Sequence, residues 1–362
     1  MIGDRCEHLA AGAVLRDDRA KFGRFGALNC SERWRTDASG AGPPLDTEWV
    51  LFLHEVGEIV SRFALGENPV LERVVSRGEL GQVWRLETST GTWAVKELFH
   101  RESEDDARLS AEFQEIAVRA GVPAPAVVRT ADRGVSLDLD GRQFRVFSWV
   151  DVLPPDPDLD PGLVGVLVAG IHRLGHPSVG PARSWYTEPV GAARWHQLLQ
   201  QLIAAQNPLG ERLAELEDEL CDLEELLEEP SELQQLHLDL WADNVRMTAT
   251  GGLCVIDWDN SGPGDPRQEL AAVLFEYCSG RPARIRALHD GYVDAGGPGR
   301  ITRPEDFSMA IAQLGHILEW QCGNWLNAAN AEERRHAEAA IDEHVSRPLT
   351  RQVIDEILNA LA

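Results

Sequence analysis

The stretch HLDLWADNV, residues 237–245, holds His237, Asp239, Asp243 and Asn244 within eight positions. Asp257 follows thirteen residues after Asn244, in VIDWDN. Between them, NVRMTA and LCVIDW read as two strands joined by a TGG turn. Such a hairpin places Asn244 and Asp257 side by side at its open end. An amide oxygen and a carboxylate there are hard ligands of the kind Mg²⁺ takes. Asp239 stands earlier on the feeding loop, where it can accept a proton from an attacking hydroxyl. His237 is placed to brace the loop by hydrogen bonds.

Two rival readings use the same residues. DWDNSG at 257–262 begins like a calcium loop, but its twelfth position is Gln268 instead of a bidentate glutamate, and a strand precedes it instead of a helix. A metallohydrolase built on His237, Asp239, Asp257 and Asp259 has a single local histidine and leaves the first half of the chain without a role.

The first half offers Lys96, one of only two lysines among 34 basic residues. TWAVKEL puts it in mid-strand, facing away from Val95. Glu112, in the helical segment SAEFQEIAV, is the expected ion-pair partner that would hold the ammonium over phosphates, with Glu115 as the alternative. RGELGQVW contributes Gly78 and Gly81, which allow close backbone approach to phosphate oxygens. FSWV at 147–150 ends the strand region; its backbone at Ser148 and Val150 is where an adenine edge is expected.

The elements that must position these residues change character along the chain. Residues 46–65 read as a helix; six strands then lie at 71–75, 81–89, 92–99, 127–131, 135–140 and 143–150, interrupted by one helix at about 103–120. PPDPDLDPG is a proline-rich connector, beyond which the chain is mostly helical, including one acidic helix at 211–230. The class is α+β, with a small antiparallel β lobe carrying one inserted helix and a larger α-rich lobe. The expected divisions are a poorly ordered extension at 1–46, a nucleotide-binding lobe at 47–150, and a catalytic and acceptor-binding lobe at 151–362.

HLDLWADN followed by VIDWDNSGPGDP resembles the aminoglycoside phosphotransferase family, small-molecule kinases with a protein-kinase-like fold, over about residues 55–345. The resemblance implies ATP and Mg²⁺ as cofactors, Asp239 as catalytic base, Asn244 and Asp257 as metal ligands, and Lys96 on the ATP phosphates with Glu112 beside it. Three positions depart from the family pattern. Leu238 replaces the usual glycine, Asp259 replaces a common glutamate, and Glu269 stands where an aspartate supports the loop.

The expected activity is transfer of the ATP γ-phosphate to a hydroxyl of a small molecule, an aminoglycoside or other amine, as in antibiotic resistance. Homoserine, choline and sugar kinases of the same fold, or a non-catalytic nucleotide-binding module, are the alternatives. A protein substrate is disfavoured because HRD, DFG and APE motifs are missing. ILEWQCGNW at 317–325 is the candidate acceptor wall; Glu319 and Asp259 are the candidate acceptor-binding residues.

Composition narrows the partners. The 362 residues are 43% hydrophobic, and 59 acidic against 34 basic side chains give a net charge of -25. That field repels nucleic acid and anionic membrane and attracts cations. Six cysteines without a CxxC spacing favour reduced thiols and a cytoplasmic setting. LAAGAVL at 9–15 lacks the basic flank and cleavage site of a signal peptide. The sequence is silent on oligomeric state.

Overall fold

The computed structural model describes residue 51, residues 53–77 and residues 81–362; the extension expected at 1–46 lies outside them. Helix α1 (Leu53–Arg62) leads into strands β1 (Val70–Arg77), β2 (Gly81–Thr88) and β3 (Gly91–Leu98). Helix α2 (Glu104–Arg119) follows, then β4 (Val127–Val128), β5 (Leu137–Leu139) and β6 (Arg142–Ser148). The strands form one antiparallel sheet in the order β1-β2-β3-β6-β4, with β5 also on β6. Trp84, Leu86, Val95, Phe144 and Val146 bury one face of it. Alternation sends Lys96 to the other face, where register pairs it with Arg145 of β6.

An ionic cluster ties this region together. Arg142 forks onto Glu97 at 2.6 and 2.8 Å and reaches Glu55 of α1 at 2.7 Å. Ser103 caps α2 by accepting from the Asp106 N–H, and three acidic residues fill its first turn. Phe113 and Ala117 of α2 pack into the larger core beyond the connector, so the helix touches both halves of the molecule.

The connector after Ser148 is pinned to the second half by a Leu153 N–H bond to the Met247 carbonyl, 2.7 Å. Helices α3 (Pro161–His172) and α4 (Ala192–Ala204) come next, then α5 (Gly210–Ala214) and α6 (Glu217–Glu224). Strands β7 (Gln234–Leu236), β8 (Val245–Met247), β9 (Leu253–Val255) and β10 (Gly262–Gly264) precede α7 (Pro266–Cys278), α8 (Pro282–Asp294), α9 (Ser308–Asn327), α10 (Ala331–Ser346) and α11 (Arg351–Leu361). Helices α3 and α8 approach so closely that a Cβ at Gly165 would lie 2.1 Å from the Leu288 carbonyl oxygen. Both glycines of that crossing, Gly165 and Gly291, are required by backbone contact.

The single acidic helix expected at 211–230 is instead two short helices ending at Glu224. Glu224 turns inward to accept from the Val190 and Gly191 amides and from the Trp195 indole, all within 3.0 Å. A run of like charges cannot continue as a solvated face once one carboxylate is drawn into the core. Cys221, Cys254, Cys278 and Cys322 are free thiols. Among the described residues, no helix is long and apolar enough to cross a membrane.

Candidate active site

The two acidic motifs meet through four short strands. β8 and β9 form the expected hairpin, with Val245 opposite Val255. One step further, the Ile256 N–H donates to the Asn244 carbonyl at 2.9 Å, which brings Asp257 beside Asn244. β10 returns to pair with β7, Gly262 opposite Leu236, so the loop 237–244 is held at both ends.

Asp239 lies at the centre and is 1% exposed. Its Oδ2 accepts from the side-chain amides of Asn244 at 2.7 Å and Asn260 at 3.0 Å. Its Oδ1 is buried and has no hydrogen-bond partner. Two amides therefore orient the carboxylate and leave one oxygen for a group the protein does not supply. Burial, and then the negative charge of Asp257, raise the Asp239 carboxyl well above its ordinary range, against the pull of the two amides.

His237 is fully buried, its ring edge-on to Trp258 at 4.9 Å. Its Nε2 donates to the Ile256 carbonyl at 3.2 Å. Burial lowers its pKa, so it braces the loop as a neutral ring.

Leu238 occupies the left-handed region, φ 62°, which explains the glycine usual at this position in the family it resembles. The leucine is 1% exposed and packs over two real glycines. A Cβ at Gly264 would lie 2.6 Å from Leu238 Cδ2, and one at Gly262 would lie 3.4 Å from Cδ1. The Leu238 N–H donates to Glu269 Oε1. Glu269 Oε2 accepts from His172 Nε2 at 2.7 Å, and the Tyr292 hydroxyl donates to His172 Nδ1 at 2.8 Å. Tyr292 in turn accepts from the Gly299 N–H at 2.8 Å. The longer Glu269 side chain thus reaches the loop amide and anchors it to three elements behind.

Lys96 reaches this centre from β3, but not as expected. Its ammonium lies 2.7 Å from Asp257 Oδ1 and 2.7 Å from Asp259 Oδ2. Burial alone would lower its pKa, but the two carboxylates outweigh burial and raise it. Glu112 is not its partner: it is half-exposed and pairs with Arg108 at 3.3 Å. Glu115, the alternative, forks with Arg129 at 2.7 and 3.0 Å. Residues 108, 112, 115 and 119 form one polar stripe of α2, whereas Ala107, Ser110, Ala111 and Gln114 are its buried face. That spacing was the signal in the sequence.

Asp259 is likewise corrected as an acceptor-binding residue. It is 7% exposed and is taken by Lys96 and by Arg145. Against the effect of burial, the charges of Arg145 and Lys96 hold its carboxyl down to about 2. Glu102 approaches Arg145 at 3.5 Å, and burial followed by repulsion from Asp259 pushes it up to about 8. Glu319 is corrected too. Arg194 holds it at 2.6 Å with His316 at 3.8 Å, and His316 followed by Arg194 keeps its carboxyl low. Its charge is therefore already compensated.

Gly78 lies outside the described residues. Gly81 is required by strand packing, since a Cβ there would lie 2.4 Å from the Glu97 carbonyl oxygen. Ser148 commits its N–H to the Ala126 carbonyl and its hydroxyl to the Ala126 N–H, both at 2.8 Å. Its amide and side chain are thus unavailable to an adenine edge. Val150, half-buried, follows at the start of the connector.

The donor set suits a hard cation. Asn244 gives its NH₂ to Asp239, which leaves its amide oxygen for another group. Asp257 is a non-glycine residue in the left-handed region, φ 58°, with its side chain 30% exposed. Among the described residues, no three His, Cys, Asp or Glu side chains converge as a metal cage. Two oxygen ligands with the remainder supplied by phosphates and water is how proteins hold Mg²⁺, and these residues fit it.

Comparison with known proteins follows the same lines. The model of the APH phosphotransferase enzyme family matches residues 72–304. No curated protein matches the sequence. Spectinomycin phosphotransferase in complex with ADP and spectinomycin superposes with a TM-score of 0.60 at 11% identity, covering 86% of this chain and 99% of that one. The AMP-bound form gives 0.56 at 12% identity, covering 85% and 98%. The shared architecture is the protein-kinase-like two-lobe fold.

Proposed function

Because the chain belongs to the APH phosphotransferase enzyme family, we propose that it transfers the γ-phosphoryl group of ATP to a hydroxyl of a small molecule at Asp239. The observation that carries this is the Asp239 carboxylate, with Oδ2 fixed by two amides and Oδ1 buried and unpartnered. The acceptor hydroxyl would donate to Oδ1, and its proton would pass there as the oxygen attacks phosphorus.

Lys96 would hold the nucleotide phosphates across the gap between the sheet and the hairpin. Mg²⁺, on Asn244 and Asp257, would neutralise phosphate charge when bound. His237 and Glu269 keep the loop in place through the Ile256 carbonyl and the Leu238 amide. The protein's contribution is positioning and fixed charge, as phosphoryl transfer requires. Val150 would line the adenine pocket.

The acceptor is a compact polar molecule carrying an amine. The net charge of -25 supports a cationic partner through its field. The neighbour whose structure holds spectinomycin supports the same class, and an activity of that kind would confer antibiotic resistance. The free thiols support a reducing, cytoplasmic setting.

The test is an acceptor screen over amines, amino alcohols, amino acids and sugars, read by mass spectrometry for one added phosphate. Product is expected with ATP and Mg²⁺ and is lost with EDTA. Nucleotide binding without a phosphorylated product from any acceptor would make the chain a non-catalytic nucleotide-binding module.

A further inference from the structure

Lys96 of β3 and Arg145 of β6 are register partners on one face of the sheet. Like charges directly opposite each other on neighbouring strands repel. Here Arg145 is 1% exposed, so solvent does not relieve it. An anion must lie between the two cations, and Asp259 does. Its Oδ2 meets Lys96 at 2.7 Å and its Oδ1 accepts from Arg145 Nη1. Nη1 also meets the Ser110 hydroxyl at 3.2 Å and approaches Glu102 at 3.5 Å, while Nη2 meets the Ala107 carbonyl at 3.5 Å; Ser110 and Ala107 belong to the buried face of α2. The helix therefore presents small residues and a carbonyl where a lysine partner was expected, and Arg145 fills that space.

We propose that Asp259 is the standing partner of Lys96 and that Arg145 is a positioning residue acting through Asp259, so that no α2 carboxylate is needed to hold the phosphate-binding ammonium. The proposal rests on the reading of Lys96 as the phosphate-binding residue. Lys96 touches two carboxylates with different fates. Asp257 has its side chain 30% exposed and is the one suited to a metal. Asp259 has its side chain 10% exposed and is held in place, because its departure would leave the buried guanidinium only the more distant Glu102 at 3.5 Å. When Asp257 turns to a cation, Lys96 stays on Asp259. Its position then depends on two neighbouring strands and the WDN turn, not on where α2 sits.

The chain has two lysines, Lys21 and Lys96, so protein labelled with ¹⁵N-lysine gives two ammonium signals. Lys96→Arg removes and thereby identifies one of them. Asp259→Asn and Arg145→Met are each expected to shift or broaden the Lys96 signal, and Arg145→Met is expected to add nothing once Asp259 is asparagine. Glu112→Ala is expected to leave the signal in place. Affinity for ADP without metal should fall about tenfold in Asp259→Asn and Arg145→Met, about 1.4 kcal/mol, and less than about twofold in Glu112→Ala. A Lys96 signal that moves with Glu112→Ala overturns the proposal. So does one that responds to Arg145→Met equally with and without Asp259. Should Arg145→Met not fold, Arg145→Lys, which keeps the charge and loses the fork, is expected to give a smaller shift in the same direction; an unmoved signal overturns the proposal. Wild-type protein that does not bind ADP refutes the nucleotide reading alone, since the lysine signals report the ion chain without nucleotide.

Discussion

Leu238→Gly restores a glycine at a left-handed position, yet it is expected to destabilise the protein. The leucine's φ of 62° costs about 1–2 kcal/mol relative to glycine. Its side chain is 1% exposed, and deleting a buried leucine costs about 2–5 kcal/mol including the cavity. Glycine also loses about 0.5–1 kcal/mol more than alanine in chain entropy on folding. Burial wins, and the net loss is about 3 kcal/mol. At about 2.1 cal/mol/K of unfolding entropy per residue, 362 residues give about 1.3 °C per kcal/mol, so the melting point falls by about 4 °C.

The stronger check is the pair with Gly264. In the wild type, Gly264→Ala brings a methyl group 2.6 Å from Leu238 Cδ2 and 3.1 Å from Leu236 Cδ1. Overpacking of that kind costs about 1–3 kcal/mol. In the Leu238→Gly background the closer contact is gone and the methyl enters the vacated space, worth about 0.8 kcal/mol if it is filled. Gly264→Ala should then be near neutral, giving a coupling of about 1–3 kcal/mol between the two sites. Urea unfolding of the four proteins, compared at constant m-value, measures it. Additivity within about 0.5 kcal/mol, or a Leu238→Gly protein more stable than wild type, refutes the argument that the leucine is held by the space over Gly264.

Asp239→Asn should lower the transfer rate by about 10²–10⁴-fold while changing ADP affinity little, as read by product formation and calorimetry; equal loss of both would make Asp239 structural. Glu269→Asp shortens the arm by one methylene and cannot satisfy both the Leu238 N–H and His172, so about 1–3 kcal/mol of stability should go with it in urea titrations. Glu102 is raised to about 8 from 4.5 in the fold, so the folded state binds more protons between those values and stability falls as pH rises through that window. Glu102→Gln should remove that decline, its advantage over wild type growing from pH 5 to pH 8 in paired unfolding curves.

The hairpin around Asn244 and Asp257 was legible because it is local: strand, TGG turn and strand, with register following from loop length. The sheet was legible from period-two alternation, which also turned Lys96 away from Val95. What alternation does not carry is the partner across the sheet. Arg145 is forty-nine residues from Lys96 in sequence and adjacent to it in register, and only strand order makes them neighbours. Distance along the chain from Lys96 points to Glu112, although the stripe with Arg108 and Arg119 marks it as outward-facing. Glu319 was read as an open anion because its compensating Arg194 lies on another helix. The Glu269–His172–Tyr292 line behind the loop joins α7, α3 and α8, and no short-range pattern announces it.

The net charge of -25 poses a problem for the proposed reaction, since a surface that attracts a cationic acceptor repels free ATP. The cations at the centre do not remove that problem on their own: Arg145 is buried, Lys96 is half-buried, and both are already balanced by Asp257 and Asp259. A nucleotide arriving with Mg²⁺ carries less negative charge. On the proposed reading it would also bring the cation that competes with Lys96 for Asp257. Displacing Lys96 from Asp257 would leave the ammonium with Asp259, and the bound cation would add positive charge at the phosphates. Phosphate binding and metal binding would therefore reinforce each other on that reading, with nucleotide alone bound more weakly than nucleotide with the cation. The ordering of charges along the sheet, from Arg145 to Asp259 to Lys96, would let the site change partner at one end while staying fixed at the other.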